Sequence, residues 1–274
     1  KTVLITGCPS GLGRLTARHF AESGWNVIAT MRKPDATLAA EFPERIFEAA
    51  LDVSDPASIE AALEAGMTRF GAVDVIVNNA GITMVSVFEA TPAAAARQIF
   101  ETNVFGTMNV IRAALPHLRA GGGGTIVNVS SGVGFAAVPL LSIYVASKHA
   151  VEGLSESLAY ELESQNIRIR LIEPGAMLAT SFVGTGMAAS QAAPVPPEYK
   201  AYFDHALQSM VDYPFPATEE QRVAEAIHTA ATDRSGRLRY VVGPDVEEYA
   251  RLRWTTSEEA YLAGMRSLTG QTAW

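Results

Sequence analysis

The first 14 residues decide the fold class, and they read Lys1-Thr-Val-Leu-Ile-Thr-Gly7-Cys-Pro-Ser-Gly11-Leu-Gly13-Arg. The apolar run at residues 3–5 predicts a buried parallel strand. From Gly11 onward, apolar residues recur at the spacing of a helix. Glycines at positions 7, 11 and 13 would allow a sharp turn, the approach of a pyrophosphate to backbone N–H groups, and close packing of the helix on the strand. This stretch therefore predicts the opening strand, turn and helix of a dinucleotide-binding βαβ unit.

Short apolar runs alternate with amphipathic helical patterns along the whole chain. Strands are predicted near residues 2–6, 25–30, 46–51, 73–78, 124–130, 167–173 and 238–242. Helices are predicted near residues 11–24, 56–70, 92–118, 142–164, 219–232, 244–253 and 257–268. Such alternation is typical of a parallel sheet with helices on both faces. We predict a Rossmann-type, doubly wound α/β fold with a seven-stranded, mainly parallel sheet, in a single domain that spans residues 1–274.

The amino-acid composition excludes some classes of partner and indicates a cellular compartment. The 274 residues include 29 acidic and 21 basic side chains, a formal net charge of −8, which argues against a nucleic-acid surface and against docking on anionic lipid. The most apolar stretch, residues 132–146, is shorter than the ~20 residues of a membrane span. The single cysteine, Cys8, excludes an internal disulfide, and no secretory signal is visible, so we expect a cytoplasmic protein. Because the sequence starts at Lys1 rather than at a methionine, we expect a short segment to precede it in the translated chain.

A second pattern lies in the middle of the chain. Ser130-Ser131 is followed by Tyr144, thirteen residues after Ser131, and by Lys148 four residues later. Helical residues at i and i+4 share one face, about 5–6 Å apart. An ammonium beside a phenol favours the phenolate and lowers its pKa from the ordinary value of about 10, while a nearby serine would hold a substrate oxygen. Such a Tyr–Lys pair also occurs by chance on amphipathic helices, so its meaning depends on the glycine-rich amino terminus.

From Thr2 to about Pro244, the chain resembles the short-chain dehydrogenase/reductase family. The matching motifs, in the family's order, are Thr6-Gly7-x-x-x-Gly11-x-Gly13, Asp52-Val53, Asn78-Asn79-Ala80-Gly81, Asn103, Ser131, Tyr144-x-x-x-Lys148 and Pro174-Gly175. The glycine spacing is similar to that of the short, single-domain members. The C-terminal extension, residues 244–274, resembles the hydroxysteroid- and retinol-dehydrogenase-like branch. The resemblance implies a hydride-transferring oxidoreductase that needs a nicotinamide cofactor and no metal, and the five histidines show no metal-ligand spacing.

The resemblance also implies roles for individual residues. Tyr144 would exchange a proton with the substrate oxygen, and Ser131 would steady that oxygen. Lys148 would lower the pKa of Tyr144 and bind the nicotinamide ribose, while Asn103 would hold a proton-relay water. The residues expected to contact the cofactor are Gly7, Ser10, Gly11, Leu12, Gly13, Arg32, Asp52, Val53, Asn79, Ala80, Gly81, Tyr144, Lys148, Pro174 and Gly175. Within this set, Asp52 would accept from the adenine amino group, and the neighbouring Asn78 would tie strands together.

The end of the second predicted strand bears on the choice of cofactor. Family members that use NAD tend to place an aspartate where Met31 stands. Here two basic residues follow, Arg32 and Lys33, about 20 residues from the glycine loop, where the adenosine ribose is expected. Because arginine binds phosphate through a bidentate fork, we predict a 2′-phosphate site and hence NADP(H) as cofactor. The alternative is that the two basic residues form a solvated turn.

Residues 176–217 are rich in glycine, proline and aromatic side chains. Long excursions at the carboxyl end of a strand bind ligands in open α/β sheets, so we predict a loop-rich substrate lid here. Phe182 is predicted to face the substrate together with one of Tyr202, Phe203 or Tyr213, although aromatic residues at such spacing also belong to cores. Thr180 stands one residue later than the threonine that usually contacts the nicotinamide amide.

These patterns predict an NADP(H)-dependent alcohol dehydrogenase/ketone reductase that acts on a small, apolar alcohol or ketone. The alternative, from another class, is a catalytically silent NADP-binding sensor or scaffold on the same fold. Consumption of NADPH with a panel of ketones would discriminate the two. By family analogy we expect a homo-oligomer, a dimer or tetramer, formed through the helices at 92–118 and 142–164. No nucleic-acid or membrane partner is expected.

Overall fold

Seven parallel strands form the centre of the structure, a computed structural model that describes residues 1–177, 181–190 and 194–272. The side chains of residues 181–183 and of residue 190 lie outside the described part. The strands are β1 (Thr2–Thr6), β2 (Asn26–Met31), β3 (Ile46–Ala50), β4 (Val75–Asn78), β5 (Gly124–Val129), β6 (Ile167–Pro174) and β7 (Arg239–Val242). Their order in the sheet is β3-β2-β1-β4-β5-β6-β7, and every neighbouring pair is parallel. The predicted doubly wound, seven-stranded Rossmann-type sheet is confirmed.

Helices cover both faces of this sheet. They are α1 (Gly11–Glu22), α2 (Thr37–Glu41), α3 (Pro56–Phe70), α4 (Ala93–Phe100), α5 (Gly106–Ala120), α6 (Ser142–Glu163), α7 (Ser181–Ser190), α8 (Lys200–Val211), α9 (Glu220–Thr232), α10 (Pro244–Thr255) and α11 (Glu258–Leu268). Among the described residues, none of these helices combines the length and the apolar character that a membrane crossing needs.

Successive residues of β1 point to opposite faces of the sheet, so this strand contributes side chains to two separate hydrophobic cores. Val3 and Ile5 of β1 point to the face that α1 and α9 cover, and they pack there with Phe20 and Ile227. Leu4 points to the opposite face, which α3 and α5 cover. Because both faces are buried, the strand is apolar throughout rather than alternating with polar residues. The apolar run that marked β1 in the sequence is therefore a consequence of this sandwich of helices around the sheet.

The predicted helix at 92–118 is interrupted in the structure. Residues 101–105 adopt a π-helical turn between α4 and α5. The side chain of Thr107 donates to the carbonyl oxygen of Asn103 over 2.8 Å, and Asn103 itself is turned inward and buried. One-turn π-helical stretches inside α-helices occur mostly at functional sites. Propensity and periodicity do not distinguish such a turn from a continuous helix.

The predicted loop-rich lid at 176–217 is wrong in its secondary structure, because it contains α7 and α8. Glycine and proline frequency dominated the prediction, yet α8 carries apolar residues at helical spacing. Ala206 is buried, and Tyr202, Phe203, Leu207 and Met210 pack with it against Val85, Val87 and Leu140. We refer to residues 194–217, which include α8, as the cap. Within the cap, Tyr202 and Phe203 are part of the face that packs against the rest of the protein.

The short helix α2, which the sequence did not predict, is held by one carboxylate from β3. Glu48 accepts four backbone N–H groups at its start: those of Leu38 and Ala39 on Oε1, at 2.8 and 2.9 Å, and those of Ala36 and Asp35 on Oε2, at 2.9 and 3.2 Å. The first N–H groups of a helix have no partner within the helix. Glu48 satisfies them and fixes the segment that follows Arg32 and Lys33.

We expect Glu48→Ala to destabilise the protein by about 2 kcal/mol, because it leaves partly buried N–H groups without their charged acceptor. Glu44→Ala, which removes an exposed carboxylate just before the same strand, is the matched control and should change stability by less than about 0.5 kcal/mol. Urea unfolding followed by circular dichroism measures both values. Equal stabilities of the two variants would show that Glu48 does not hold α2.

Candidate active site

A cavity of about 1590 Å³ opens at the carboxyl ends of the strands. It lies where the sheet order reverses, between β1 and β4, which is where open α/β sheets bind ligands. All fifteen residues predicted to contact a cofactor line it: Gly7, Ser10, Gly11, Leu12, Gly13, Arg32, Asp52, Val53, Asn79, Ala80, Gly81, Tyr144, Lys148, Pro174 and Gly175. Ser131 lines it as well. Residues that are distant in the sequence are thus brought to one cavity.

The glycine turn presents bare backbone to this cavity. Gly7 and Gly11 have positive φ angles of +75° and +53°, which glycine adopts without strain. At Gly13, a Cβ would lie 2.1 Å from the carbonyl oxygen of Gly7, so only glycine allows α1 to approach β1 this closely. The first turn of α1 carries no acidic side chain. Its N-terminal N–H groups and helix dipole therefore suit an anionic group such as a pyrophosphate.

A single amide links the glycine turn to β4. Asn79 Nδ2 donates to the carbonyl oxygens of Thr6 and Gly7, over 2.9 and 3.1 Å. The backbone N–H groups of Asn79 and Ala80 both donate to the Thr6 hydroxyl over 3.0 Å. The neighbouring Asn78 donates to the Asn128 side chain of β5 over 2.8 Å, which confirms that it ties strands together.

At the end of β2, in the half of the cavity that the glycine turn also lines, Met31 is buried and Arg32 is exposed. Both residues line the cavity, whereas Lys33 does not. Asp52 accepts the hydroxyl and the backbone N–H of Ser54, and these hydrogen bonds, aided by the charge of Arg32, hold the pKa of Asp52 below its usual value. Asp52 therefore stays ionised beside a guanidinium.

Asp35, three residues after Arg32, is held at the start of α2. Its carboxylate accepts the backbone N–H and the hydroxyl of Thr37, over 3.0 and 2.7 Å. These bonds hold it against the start of α2.

Tyr144, Ser131 and Lys148 meet where β5 ends and α6 begins. Tyr144 is only 8% exposed, and its hydroxyl shares a hydrogen bond with Ser131. Lys148 is 6% exposed, and its ammonium lies 5.6 Å from the centre of the Tyr144 ring. Lys148 Nζ donates to the carbonyl oxygen of Val129 at the end of β5, over 2.8 Å. The predicted i, i+4 pair thus shares one helix face, and the serine lies against it.

Burial governs the ionisation of this group. Burial raises the pKa of the Tyr144 phenol above its usual range, and the hydrogen bond from Ser131 opposes this change only in part. Burial also lowers the pKa of Lys148 to about 8, opposed by the charge of Glu152. Desolvation thus favours the neutral form of both groups in the free site, and the effect of the Lys148 charge on the pKa of Tyr144 stays a prediction. In this state the phenol keeps its proton.

Asn103 does not line the cavity, although it lies directly behind it. Its Oδ1 accepts the N–H of Ile82, while its Nδ2 donates to the carbonyl oxygen of Ile82 and to the Ser147 hydroxyl, all over 2.9–3.0 Å. A Cβ at Gly81 would lie 3.4 Å from Asn103 Oδ1 and 3.9 Å from Lys148 Nζ. The side chain thus joins the loop after β4 to α6 and leaves a narrow gap toward Lys148.

The second half of the cavity is mainly apolar. Its walls come from the segment after β5, from the cap and from α10, and its residues include Val138, Leu141, Met177, Met187, Leu207, Met210, Tyr213, Val246 and Tyr249. The hydroxyls of Tyr213 and Tyr249 hydrogen-bond to each other. Of the predicted substrate residues in the cap, Tyr213 lines the cavity and Tyr202 and Phe203 do not. Phe182, by its side chain, and Thr180 lie outside the described residues.

Sequence reasoning missed the contribution of α10 to this wall. Val246, Tyr249 and Leu252 follow one another at helical spacing and are buried in a cluster with Phe135, which lies six residues after the end of β5. That spacing was the available signal, because apolar residues at helical spacing give a helix an apolar face.

With this geometry in place, comparison with known proteins decides the family. A family model described as short chain dehydrogenase matches residues 1–190. An uncharacterized oxidoreductase of Schizosaccharomyces pombe is 35% identical over 244 residues, which cover 88% of this chain and 100% of that protein. Retinol dehydrogenase 8 of Homo sapiens is 39% identical over 215 residues, covering 74% of this chain and 68% of that protein. The chain belongs to the short-chain dehydrogenase/reductase family.

Solved structures of the family are similar over most of the chain. A short-chain dehydrogenase from Streptomyces avermitilis superposes with a TM-score of 0.78 at 33% identity and covers 100% of this chain and 94% of its own. ElxO with NADP bound gives 0.76 at 26% identity, covering 90% and 99% of the two chains. A 3-ketoacyl-(acyl-carrier-protein) reductase from Brucella melitensis, complexed with NADH, gives 0.75 at 28% identity, covering 89% and 96%.

Short-chain dehydrogenase/reductases bind a nicotinamide dinucleotide, and the residues of this site fit such a group. The fit rests on the bare backbone of the glycine turn that lines the cavity and on the acid-free start of α1. Within the described residues, no group of three or more histidine, cysteine, aspartate or glutamate side chains could hold a metal ion. Burial raises the pKa of the Cys8 thiol to about 12, which makes it an unreactive thiol within the glycine turn.

We expect Gly13→Ala to lower the free energy of unfolding by about 1–3 kcal/mol, because the new methyl group must displace the carbonyl of Gly7 or the amide of Asn79. Gly153→Ala is the matched control. Position 153 is a helical, exposed glycine with no heavy atom within 4 Å of an added Cβ, so alanine there should stabilise the protein by about 0.5–1 kcal/mol. Chemical unfolding should show a lower free energy of unfolding for Gly13→Ala and a higher one for Gly153→Ala. If both substitutions stabilised the protein, the close packing at Gly13 would be contradicted.

Proposed function

We propose that this family member is an NADP(H)-dependent oxidoreductase that exchanges hydride with the alcohol or carbonyl carbon of an apolar substrate. One observation carries the proposal: Tyr144, Ser131 and Lys148 meet at the boundary between the glycine-lined half and the apolar half of one cavity. A cofactor in the first half and a substrate in the second would meet at these side chains.

The chemistry divides between cofactor and chain. The nicotinamide, when bound, supplies or accepts the hydride. Tyr144 donates a proton to the substrate oxygen in reduction and removes it in oxidation, and Ser131 holds that oxygen within reach of the phenol. Lys148 places a positive charge beside the phenol and is fixed by the Val129 carbonyl. Asn103 joins the loop after β4 to α6, and we propose that it orders the water through which Lys148 and Tyr144 exchange protons.

The ionisation of the free site favours the reducing direction. Burial keeps the proton on Tyr144, so the phenol starts as a proton donor. A ketone oxygen gains negative charge during hydride transfer, and the Tyr144 phenol and Ser131 would stabilise it by hydrogen bonds. Removal of a proton from an alcohol would need the phenolate, which is more easily formed while Lys148 remains charged.

The choice of NADP(H) rests on this chain's own residues, because the structural neighbours include one complex with NADP and one with NADH. Met31 places no carboxylate at the end of β2 to accept from ribose hydroxyls or to repel a phosphate. Arg32 lines the cavity beside Asp52, and Glu48 fixes the segment that follows it. A guanidinium in that place suits a 2′-phosphate.

The substrate class follows from the apolar half of the cavity. Methionine and leucine side chains of the cap face the segment after β5, and the polar groups of this half include the tyrosine hydroxyl pair and the neighbouring Asp245. A long or bulky apolar alcohol or ketone would bury its surface there at a gain of roughly 25 cal/mol per Å². The similarity to retinol dehydrogenase 8, whose name gives an apolar alcohol, supports this class.

Tyr144→Phe should reduce kcat by at least about two orders of magnitude, because it removes the general acid and base. Tyr160→Phe, an exposed tyrosine on the same helix α6, is the control and should leave kcat near wild type. Steady-state rates with NADPH and a panel of apolar ketones measure both variants, and fluorescence titration should show that NADPH binding survives in Tyr144→Phe. A fully active Tyr144→Phe would refute the catalytic assignment.

Arg32→Ala should weaken NADPH affinity by about ten- to a hundredfold, the effect of losing a hydrogen bond to a charged group. NADH, which lacks the 2′-phosphate, should be little affected. Met31→Asp should go further and reverse the preference, since the carboxylate repels the phosphate and accepts from ribose. Lys33→Ala serves as the control, because Lys33 does not line the cavity. The measurement is kcat/KM with both cofactors, and a wild-type preference for NADH would overturn the phosphate site at Arg32.

A further inference from the structure

Two buried carboxyl side chains and a partly buried arginine lie behind the catalytic group, on elements far apart in the sequence. Glu152 on α6 and Glu173 on β6 both face Arg239 on β7. Arg239 Nη2 lies 3.1 Å from Glu152 Oε2, and Arg239 Nε lies 3.0 Å from Glu173 Oε1. The side chain of Glu173 is 0% exposed and that of Glu152 is 7% exposed. The mechanism above uses none of the three.

The cluster begins one helical turn beyond Lys148, because Glu152 follows it at i+4 on the same helix. The negative charge of Glu152 favours the ammonium form of Lys148. The other charged groups that face the two carboxyls are Arg239 and Glu156, whose Oε1 lies 2.6 Å from Arg239 Nη2. From the remaining neighbouring elements, Ser130, Gly134 and Trp254 approach the cluster, and none of them carries a charge.

Lys148 and Arg239 can carry two positive charges, and Glu152, Glu156 and Glu173 can carry three negative ones, so the charges balance when one buried carboxyl keeps its proton. Arg239 is a single cation, and it is shared with the exposed carboxylate of Glu156. Two buried carboxylates side by side repel each other and lack solvation, so one of them retains a proton. The two carboxyls lie against the same guanidinium, Glu152 at Nη2 and Glu173 at Nε, so their contacts with Arg239 bring them side by side. Burial raises the pKa of Glu152, and it raises that of Glu173 to about 8.

We propose that Glu152 and Glu173 share one proton at neutral pH and that this pair is the counter-ion of Lys148, with Glu152 acting as a positioning residue for the lysine charge. The sharing of the proton stands on the cluster's geometry alone. The consequence for turnover rests on the proposed function, in which Lys148 assists Tyr144.

A shared proton has a definite effect on stability. A carboxyl whose pKa is raised on folding binds more protons in the native state than in the unfolded one at pH values between the two pKa values. The stability of the wild type should therefore fall as pH rises from about 5 to about 8, and the fall should cease above that range. Glu173→Gln places a permanently neutral side chain there and removes this contribution.

The first experiment uses the free protein and needs no turnover. The Tm of wild type, Glu173→Gln and Glu156→Gln is measured by calorimetry at intervals between pH 5 and 9. The Tm of Glu173→Gln minus the Tm of wild type should grow with pH up to about 8. Glu156 is an exposed carboxylate on the same guanidinium, so the Tm difference between Glu156→Gln and wild type should stay constant over this range. Parallel curves for Glu173→Gln and wild type would overturn the shared proton.

The second experiment tests the link to Lys148. In Glu152→Gln, the loss of the counter-ion should move the alkaline limb of kcat/KM for NADPH-dependent ketone reduction to lower pH, by on the order of one pH unit. Glu156→Gln should keep the wild-type profile. A Glu152→Gln profile that coincides with wild type would overturn the counter-ion role. A wild type that reduces no ketone at any pH would instead refute the proposed function, and the Tm series would still decide the shared proton.

Discussion

The amide of Asn79 holds the ends of β1 and β4 against each other, and the rest of the site depends on this link. Its two hydrogen bonds to the carbonyls of Thr6 and Gly7 fix the direction in which the chain leaves β1. The glycine turn can then bend into α1, with Gly13 against the carbonyl of Gly7. The N-terminus of α1 is thereby aimed into the cavity at the reversal of strand order, where parallel strands leave space for a ligand.

Burial, more than charge attraction, sets the ionisation of the catalytic group. Tyr144 and Lys148 are both nearly inaccessible to water, and desolvation favours the neutral form of each. The attraction between ammonium and phenolate would act in the opposite direction. Any group that raises the local negative charge near Lys148 therefore has a direct influence on how the pair shares its protons.

The sequence predicted local features well and tertiary hydrogen bonds poorly. The strand–turn–helix at residues 2–22 and the pairing of Tyr144 with Lys148 follow from periodicity and helix geometry, which act over a few residues. The start of α2 depends on Glu48, which lies about ten residues away on a neighbouring strand. The inward turn of Asn103 depends on Ile82 and on α6. No local pattern carries that information.

The same distinction explains the cap. Its prolines predicted a loop because turn residues are strong local signals. The helix α8 forms instead, since Ala206 and its apolar neighbours at helical spacing cover Val85, Val87 and Leu140. Packing against distant segments decided the structure, and Leu207 and Met210 of the same helix line the apolar half of the cavity.

The position of the Lys148 side chain does not depend on whether its nitrogen is charged. The carbonyl of Val129 accepts a hydrogen bond from Nζ whether the nitrogen is an ammonium or an amine, so loss of a proton leaves the side chain in place. What changes is the charge beside Tyr144, and that charge is favoured by Glu152 one turn away. A buried counter-ion thus controls the electrostatics of the site without altering its shape, and this explains how two carboxyls with no access to the cavity can still affect the proton that Tyr144 carries.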